Sequence, residues 1–362
     1  MIVSYLNRQI TQYPGGKTIP SVFTSIIVAS GLVMVIVLLF RIGYARTSLL
    51  IGIGILSFSQ YIAVIINRRF RHLKFAVVPS GIALNLPQVK NVQWRWLNSP
   101  DLGDCRYDGV VVDMEQTMDD EWIRFISHCS SSGLAVVDAR RVQEAVEGKV
   151  LLTQLQAMDL GALQPSPIYL SAKRAIDITV SLLLLPVLIP LCLLVIALIK
   201  MESPGPAIFV QKRVGQGNRT FLMYKFRSML LETRSSKDPQ FASEESHRIT
   251  PLGSFIRKFR IDELPQFINV LKGDMSLIGP RPEQPGFVEQ FEKEVPFYSY
   301  RHIIRPGITG WAQVAQGYAT DTQSTWKKVE HDFYYIKHLS PSLDALILIR
   351  TIKTVITGFG AL

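Results

Sequence analysis

Three long apolar runs constrain this chain more than any other feature, because some twenty uncharged residues in a row have few places to go in water. Residues 21–40 (SVFTSIIVASGLVMVIVLLF) carry no charged side chain and are long enough to span a bilayer. After Arg41 and Arg46 a second run covers residues 47–66, followed by Asn67-Arg68-Arg69-Phe70-Arg71-His72-Leu73-Lys74. That cluster is the densest basic flank of the pair. The positive-inside rule therefore puts it, and with it the N-terminus, in the cytoplasm. The third run, 175–201, contains Pro186 and Pro190 and is basic on both sides, with Lys173-Arg174 before it and Lys212-Arg213 after. A simple crossing would leave one basic flank outside. Proline bends helices, so the expectation is a re-entrant helix that enters one leaflet, turns at the prolines and returns.

The formal net charge of +10 over 362 residues calls for an anionic partner. Basic residues flank the apolar runs, which points to membrane lipid and anionic substrates. No zinc-ligand spacing and no RNA-binding aromatic motif is present, so nucleic acid is not expected. Cys105, Cys129 and Cys192 are far apart and form neither a metal pattern nor a disulfide framework, as in a reduced, cytosol-facing protein. The first apolar run is too long, and starts too late, for a cleavable signal peptide.

The fold class expected is α/β, in three parts. Residues 1–74 hold two transmembrane helices. Residues 75–165 form a small Rossmann-like parallel domain: the runs at 75–78, 109–112 and 134–137 read as buried strands, with an amphipathic helix over 119–130. Pro79-Ser80-Gly81 lacks a G-x-G-x-x-G pattern and reads as a structural turn, and no catalytic constellation stands out here. Residues 166–362 form a mixed α/β domain that includes the re-entrant helix. Within it, 207–210 and 221–226 read as a hairpin around Gly215-Gln216-Gly217-Asn218.

The chemistry concentrates after Thr250. Residues 254–260 look helical and basic. Leu264, Phe267, Ile268 and Leu271 then keep helical spacing up to Gly273, which puts Asp262 at or near a helix N-cap. Acidic residues are common at helix starts, so Asp262-Glu263 alone reads as a cap. Its neighbours change that reading: Arg257, Lys258, Arg260 and Lys272 are close in sequence, and Gly279-Pro280-Arg281-Pro282 and Arg305-Pro306-Gly307 follow. Arginine forks fixed by prolines suit phosphate oxygens, and a carboxylate pair among them suits a divalent metal and phosphoryl transfer.

The order of these motifs carries a resemblance. Lys173-Arg174-x-x-Asp177, Ser203-Pro204-Gly205-Pro206, Tyr224-Lys225-Phe226-Arg227-Ser228-Met229, Asp262-Glu263-Leu264-Pro265-Gln266, the run from Asn269 to Ser276, Gly279-Pro280-Arg281-Pro282, the run from Arg305 to Val314 and Asp332-x-Tyr334-Tyr335 follow one another over roughly the last half of the chain. In this order they resemble the bacterial sugar transferases, the monotopic polyprenyl-phosphate phosphoglycosyl transferases. Larger members usually carry four N-terminal spans where two are counted here, and often have Ser-Pro where Ile189-Pro190 stands.

The resemblance implies transfer of a sugar 1-phosphate from a UDP-sugar to undecaprenyl phosphate with release of UMP. The step would pass through a phosphosugar intermediate on Asp262 and open exopolysaccharide, capsule or O-antigen assembly. It implies catalytic roles for Asp262 and Glu263 and Mg²⁺ held by the same pair. Arg281, Arg305, Lys225 and Arg227 would contact substrate phosphate. UDP-glucose or UDP-galactose is the sugar donor expected. The setting implied is the bacterial cytoplasmic membrane, with membrane lipids around the enzyme, the catalytic domain facing the cytoplasm, and a homo-oligomer left open. Two other readings stand beside it: a non-catalytic membrane scaffold that kept the fold, and a metal-dependent phosphodiesterase that uses water.

Overall fold

The structure is a computed structural model. It describes residues 73–88, 92–152, 164–230, 248–315 and 322–357, and positions 52, 55, 58, 59 and 155 besides. Apart from those positions, the two expected N-terminal spans lie outside the described residues. The chain divides into two compact units, Met1–Gly148 and Lys149–Leu362. The second begins ahead of the composition change near residue 165, and Val150 N–H already donates to the carbonyl of Glu330 within it.

The first unit is built on four parallel strands, β1 (Leu73–Val77), β2 (Val92–Trp96), β3 (Gly109–Val112) and β4 (Ala135–Asp138), in the order β2-β1-β3-β4. Side chains alternate between the two faces of a strand. Ala76, Val110 and Val112 pack with Cys129, Trp122 and Phe125 of helix α1 (Asp120–Ser131) on one side. Val77 and Val111 pack with Ala139 and Val142 of helix α2 (Ala139–Glu147) on the other. Apolar cover on both faces is what a parallel sheet requires. β2 was not evident in the sequence: it is an edge strand, VQWRW, largely open to solvent, and it lacks a buried apolar run.

The second unit opens with helix α3 (Pro167–Glu202), 36 residues that continue through Pro186 and Pro190. The hydrogen-bonded helix runs on through both prolines, with no loop between two separate helices. Each proline removes one amide donor, and the Leu-rich segments around it keep the rest of the ladder. Among the described residues α3 is the one helix long and apolar enough to cross a membrane.

Both ends of α3 are tied into the same unit. Near the start, Lys173 pairs with Asp344 at 2.6 Å, and the Asp177 carboxylate accepts the Leu277 amide at 3.1 Å. Near the end, Val195 and Ile199 pack with Ala207, Phe226 and Ile256. Arg227 caps the last turn, donating to the carbonyls of Ser203 at 2.7 Å and Pro204 at 2.8 Å. Between these anchors Leu183, Val187, Leu193 and Leu194 stay exposed.

After α3 comes the expected hairpin, antiparallel β5 (Ile208–Val214) and β6 (Thr220–Phe226). Next are α4 (Pro251–Lys258), α5 (Gln266–Lys272), β7 (Ser276–Ile278), α6 (Pro285–Glu294), β8 (Gly307–Thr309), α7 (Trp311–Ala315), α8 (Thr322–Lys337) and α9 (Pro341–Thr357). β7 and β8 pair in parallel, and a Cβ on Gly307 would lie 2.1 Å from the amide nitrogen of Gly279. Only glycine permits that approach, which brings the Arg281 turn against the Arg305 turn.

Candidate active site

The acidic pair is placed by a short run of local chemistry. Thr250 caps α4, its hydroxyl accepting the Gly253 amide at 2.9 Å. Gly253 lies against the Ser228 carbonyl so closely that a Cβ would sit 2.0 Å from it, which locks α4 onto the chain leaving β6. At the end of α4, Arg260 takes a left-handed conformation with φ 54°, at a cost of about 1 kcal/mol for a residue with a Cβ. The chain reverses there into a single 3₁₀ turn, Ile261–Glu263. Asp262 is therefore not the N-cap expected from the sequence. α5 starts at Gln266 with Pro265 before it, and the acidic pair sits one turn upstream, where two consecutive carboxylates project from a tight bend.

The two carboxylates have different surroundings. Glu263 is buried, and its Oε1 accepts from Arg281 at 2.7 Å and Lys225 Nζ at 3.2 Å, with Arg260 4.0 Å from Oε2. Burial pushes the Glu263 pKa up. The charges of Arg281 and Lys225, and the hydrogen bond from Arg281, outweigh it and hold the group well below the usual carboxylate range. Asp262 is half-buried, and among the described residues no hydrogen bond or ion pair reaches its carboxylate. Burial, reinforced by the Glu263 charge, pushes Asp262 up to about 6 against the pull of Lys225, Arg281 and Arg257. One carboxylate holds the cations in place, and its neighbour has no such partner among the described residues.

The cations are held in turn. Buried Asn269 on α5 accepts the Tyr224 amide at 3.1 Å and donates to the Leu222 carbonyl at 2.7 Å, which aligns β6 and Lys225 with Glu263. Burial lowers the Lys225 pKa, and Glu263 offsets part of that. The Arg281 turn is held from two sides. Arg301 donates to the Arg281 carbonyl, to Asp332 and to the Tyr298 hydroxyl, each at 2.8 Å. Arg213 on β5 donates to the Pro282 carbonyl at 3.2 Å and lies 3.5 Å from Glu283, which also pairs with Lys328.

Sequence reasoning missed Arg213 and Glu283. Arg213 had been counted with the basic flank of the third apolar run. Its strand position, alternating inward in the hairpin, was the available signal.

Of the expected phosphate ligands, the structure brings Lys225 and Arg281 to the pair and leaves two out. Arg227 is buried and committed to the end of α3. Arg305 donates its Nε to the Gly273 carbonyl at 3.0 Å and lines a separate cavity of about 370 Å³, which neither Asp262 nor Glu263 touches. A smaller cavity of about 190 Å³ borders Glu263, lined by Phe259, Arg260, Phe267 and Gln313 among others. Among the described residues no three His, Cys, Asp or Glu side chains cluster as a ready-made metal cage. Two adjacent carboxylates, one without a partner, do suit a cation that completes its shell with substrate phosphate oxygens, as Mg²⁺ commonly does.

A buried glutamate and a half-buried aspartate, with lysine and arginine at the first of them, suit an anionic substrate. Residues 168–358 match the family model described as bacterial sugar transferase. The chain belongs to that family and is a transferase. It is 46% identical over 351 residues to a UDP-N-acetylgalactosamine-undecaprenyl-phosphate N-acetylgalactosaminephosphotransferase of Aeromonas hydrophila, covering 97% of this chain and 83% of that protein. To a UDP-glucose:undecaprenyl-phosphate glucose-1-phosphate transferase of Xanthomonas campestris pv. campestris it is 40% identical over 185 residues, 51% of this chain and 38% of the relative. To the Escherichia coli (strain K12) protein of the same description it is 39% identical over 182 residues, 50% of this chain and 39% of that one.

Proposed function

We propose that this enzyme transfers N-acetylgalactosamine 1-phosphate from its UDP donor to undecaprenyl phosphate, with Asp262 as the nucleophile. The observation that carries the mechanism is the free Asp262 carboxylate beside the fully paired Glu263. A carboxylate oxygen of Asp262 attacks the sugar-bearing phosphorus of the donor. The bond from that phosphorus to the bridging oxygen breaks, and UMP leaves. A phosphate oxygen of the lipid then attacks the resulting acyl phosphate, a good phosphoryl donor. The carboxylate is restored and a lipid diphosphate sugar forms. Arg281 and Lys225, anchored by Glu263, face the charge that gathers on the transferring phosphoryl group. Asp262 and Glu263 would hold magnesium, which would supply positive charge against the diphosphate.

The sugar follows from the relatives. The Aeromonas protein is similar through both units, whereas the glucose-specific relatives cover about half of this chain. N-acetylgalactosamine is therefore preferred to the glucose or galactose expected from the sequence. The product class suits a first membrane step of exopolysaccharide, capsule or O-antigen assembly.

For the membrane we infer a re-entrant α3, bent by its prolines, dipping into the cytoplasmic leaflet of the inner membrane. Two ends tied to one unit and an exposed apolar middle support this. Such an enzyme meets a soluble nucleotide sugar and a lipid phosphate on the same side.

The test offers purified enzyme a panel of UDP-sugars with undecaprenyl phosphate and follows UMP. UDP-N-acetylgalactosamine should be the best donor. Asp262→Asn should lose about 10⁴-fold or more in UMP release and should no longer be labelled by donor radiolabelled in the sugar. Near-normal release by that variant would sink the covalent scheme. UMP release that is independent of lipid, with no lipid-linked product, would favour hydrolysis instead.

A further inference from the structure

The 370 Å³ cavity at the start of α3 is not used by the reaction above, yet it collects charge. Lys173, Arg174, Asp177, Gln216, Ser276 and Arg305 all line it. Lys173 is balanced by Asp344. Arg174 donates to the carbonyls of Val270 at 2.5 Å and Leu271 at 3.0 Å, and Arg305 to that of Gly273 at 3.0 Å. Those acceptors are neutral, so the two guanidinium charges are met in the lining only by the single carboxylate of Asp177. Each guanidinium also keeps N–H groups that no acceptor among the described residues takes: three of its five hydrogen-bonding positions remain on Arg174 and four on Arg305, by the donor count of arginine. The cavity thus has the charge of one extra cation and donors for oxygen, which suits a singly charged phosphodiester.

Its position says which phosphodiester. Asp177 stands five residues before Leu182, where the exposed apolar stretch of α3 begins, or about 7.5 Å along a helix. The polar layer on each side of a bilayer is about 5–8 Å thick. If the apolar middle of α3 lies in hydrocarbon, the cavity opens at headgroup depth. The volume is far more than a bare ion needs and admits a phosphate with its alcohol, since a water takes about 30 Å³.

We propose that this cavity is a binding site for the phosphate of an anionic membrane phospholipid. Arg174 and Arg305 clamp it and fix the height at which α3 enters the leaflet. The site rests on the membrane reading of α3 given above. Its chemistry would also suit free phosphate, so the test separates the two.

The full chain is reconstituted in nanodiscs of phosphatidylcholine with phosphatidylglycerol, and retained lipid is measured by native mass spectrometry. Vesicle flotation is followed in parallel. Wild type should float and keep phosphatidylglycerol over phosphatidylcholine, and inorganic phosphate at matched ionic strength should not displace it. The variant carrying both Arg174→Gln and Arg305→Gln should retain roughly tenfold less phosphatidylglycerol. Arg305→Gln alone costs the protein only the bond to Gly273, and should give an intermediate loss even if the double variant folds poorly. Equal retention by wild type and Arg305→Gln, with flotation intact, overturns the headgroup site and leaves the membrane helix standing. Failure of wild type to float overturns both. Displacement of the lipid by inorganic phosphate overturns the lipid source.

Discussion

The two units treat charge in opposite ways. In the first, the sheet is covered on both faces by apolar side chains, and Asp113 is the one charged residue buried among those described; it accepts the Ile82 amide at 3.0 Å. In the second, Lys173, Asp177, Arg227, Glu263, Arg301, Glu330 and Asp332 are all buried. Removing a charge from water costs several kcal/mol before its partners are counted. Packing alone does not explain seven such residues in one unit. The first unit closes its sheet with apolar cover, and the second holds its buried charges in pairs and against backbone carbonyls. Within the second unit the contrast repeats at single-residue scale: Glu263 is fully paired, and Asp262 is not.

That contrast can be broken. The largest effect expected is the loss of turnover in Asp262→Asn, with no loss of stability, because the replaced carboxylate has no partner and faces the Glu263 charge. Thermal unfolding of the variant at neutral pH should match or exceed wild type, and a clear drop would mean that Asp262 is structural. Glu263→Gln should behave in the reverse manner. It strips the countercharge from Arg281 and Lys225 and should destabilise the second unit by about 3 kcal/mol, read from denaturant unfolding. An unchanged midpoint would show that the cations find other partners.

The pH dependence sharpens the same comparison. If Asp262 is the nucleophile proposed above it must be ionised to attack, and kcat should then rise about tenfold per unit up to roughly pH 6 and level. The folded state holds the Asp262 proton more tightly than the unfolded chain does. Its protonation therefore stabilises the protein, fully below the ordinary 3.8, and that contribution is lost as pH rises from there through about 6. Asp262→Asn should remove that component, whereas the Glu263 contribution, present above its ordinary 4.5, is lost only on acidification. The two carboxylates titrate as a pair, so a rate profile flat from pH 4.5 to 8 is the outcome that counts against this assignment. The smallest effect on activity should come from the first unit. Val111→Ala, at a fully buried sheet position, should cost about 2–3 kcal/mol of that unit's stability and leave UMP release per folded molecule unchanged.

Much of this was legible without coordinates wherever the signal is local. β1, β3 and β4 are short apolar runs, α1 has one apolar face, and the hairpin of β5 and β6 is punctuated by Gly215 and Gly217, the latter at φ 66°. β2 escaped notice because an exposed edge strand needs no apolar run. Residue type and order singled out the acidic pair and Arg281, and the structure brings Arg281 to Glu263. For Arg227 and Arg305 the sequence could not show which partners the side chains take. A motif names an arginine but not the direction of its fork: the Arg227 fork turns to carbonyls at the end of α3, and Arg305 gives its Nε to the Gly273 carbonyl.

The sequence by itself determined that the chain has long apolar segments, a parallel α/β unit and an acidic pair in basic surroundings, because periodicity, hydropathy and composition act over a few residues. Only the tertiary structure decided which carboxylate is paired and which is free. That outcome depends on Lys225 from β6 and Arg281 from the turn after β7 converging on one oxygen of Glu263. It also depends on Arg213, Arg301 and Asp332 holding that turn from distant parts of the chain. Charge distance falls outside any sequence window, and it is charge distance that makes Glu263 a paired carboxylate and leaves Asp262 without a partner among the described residues.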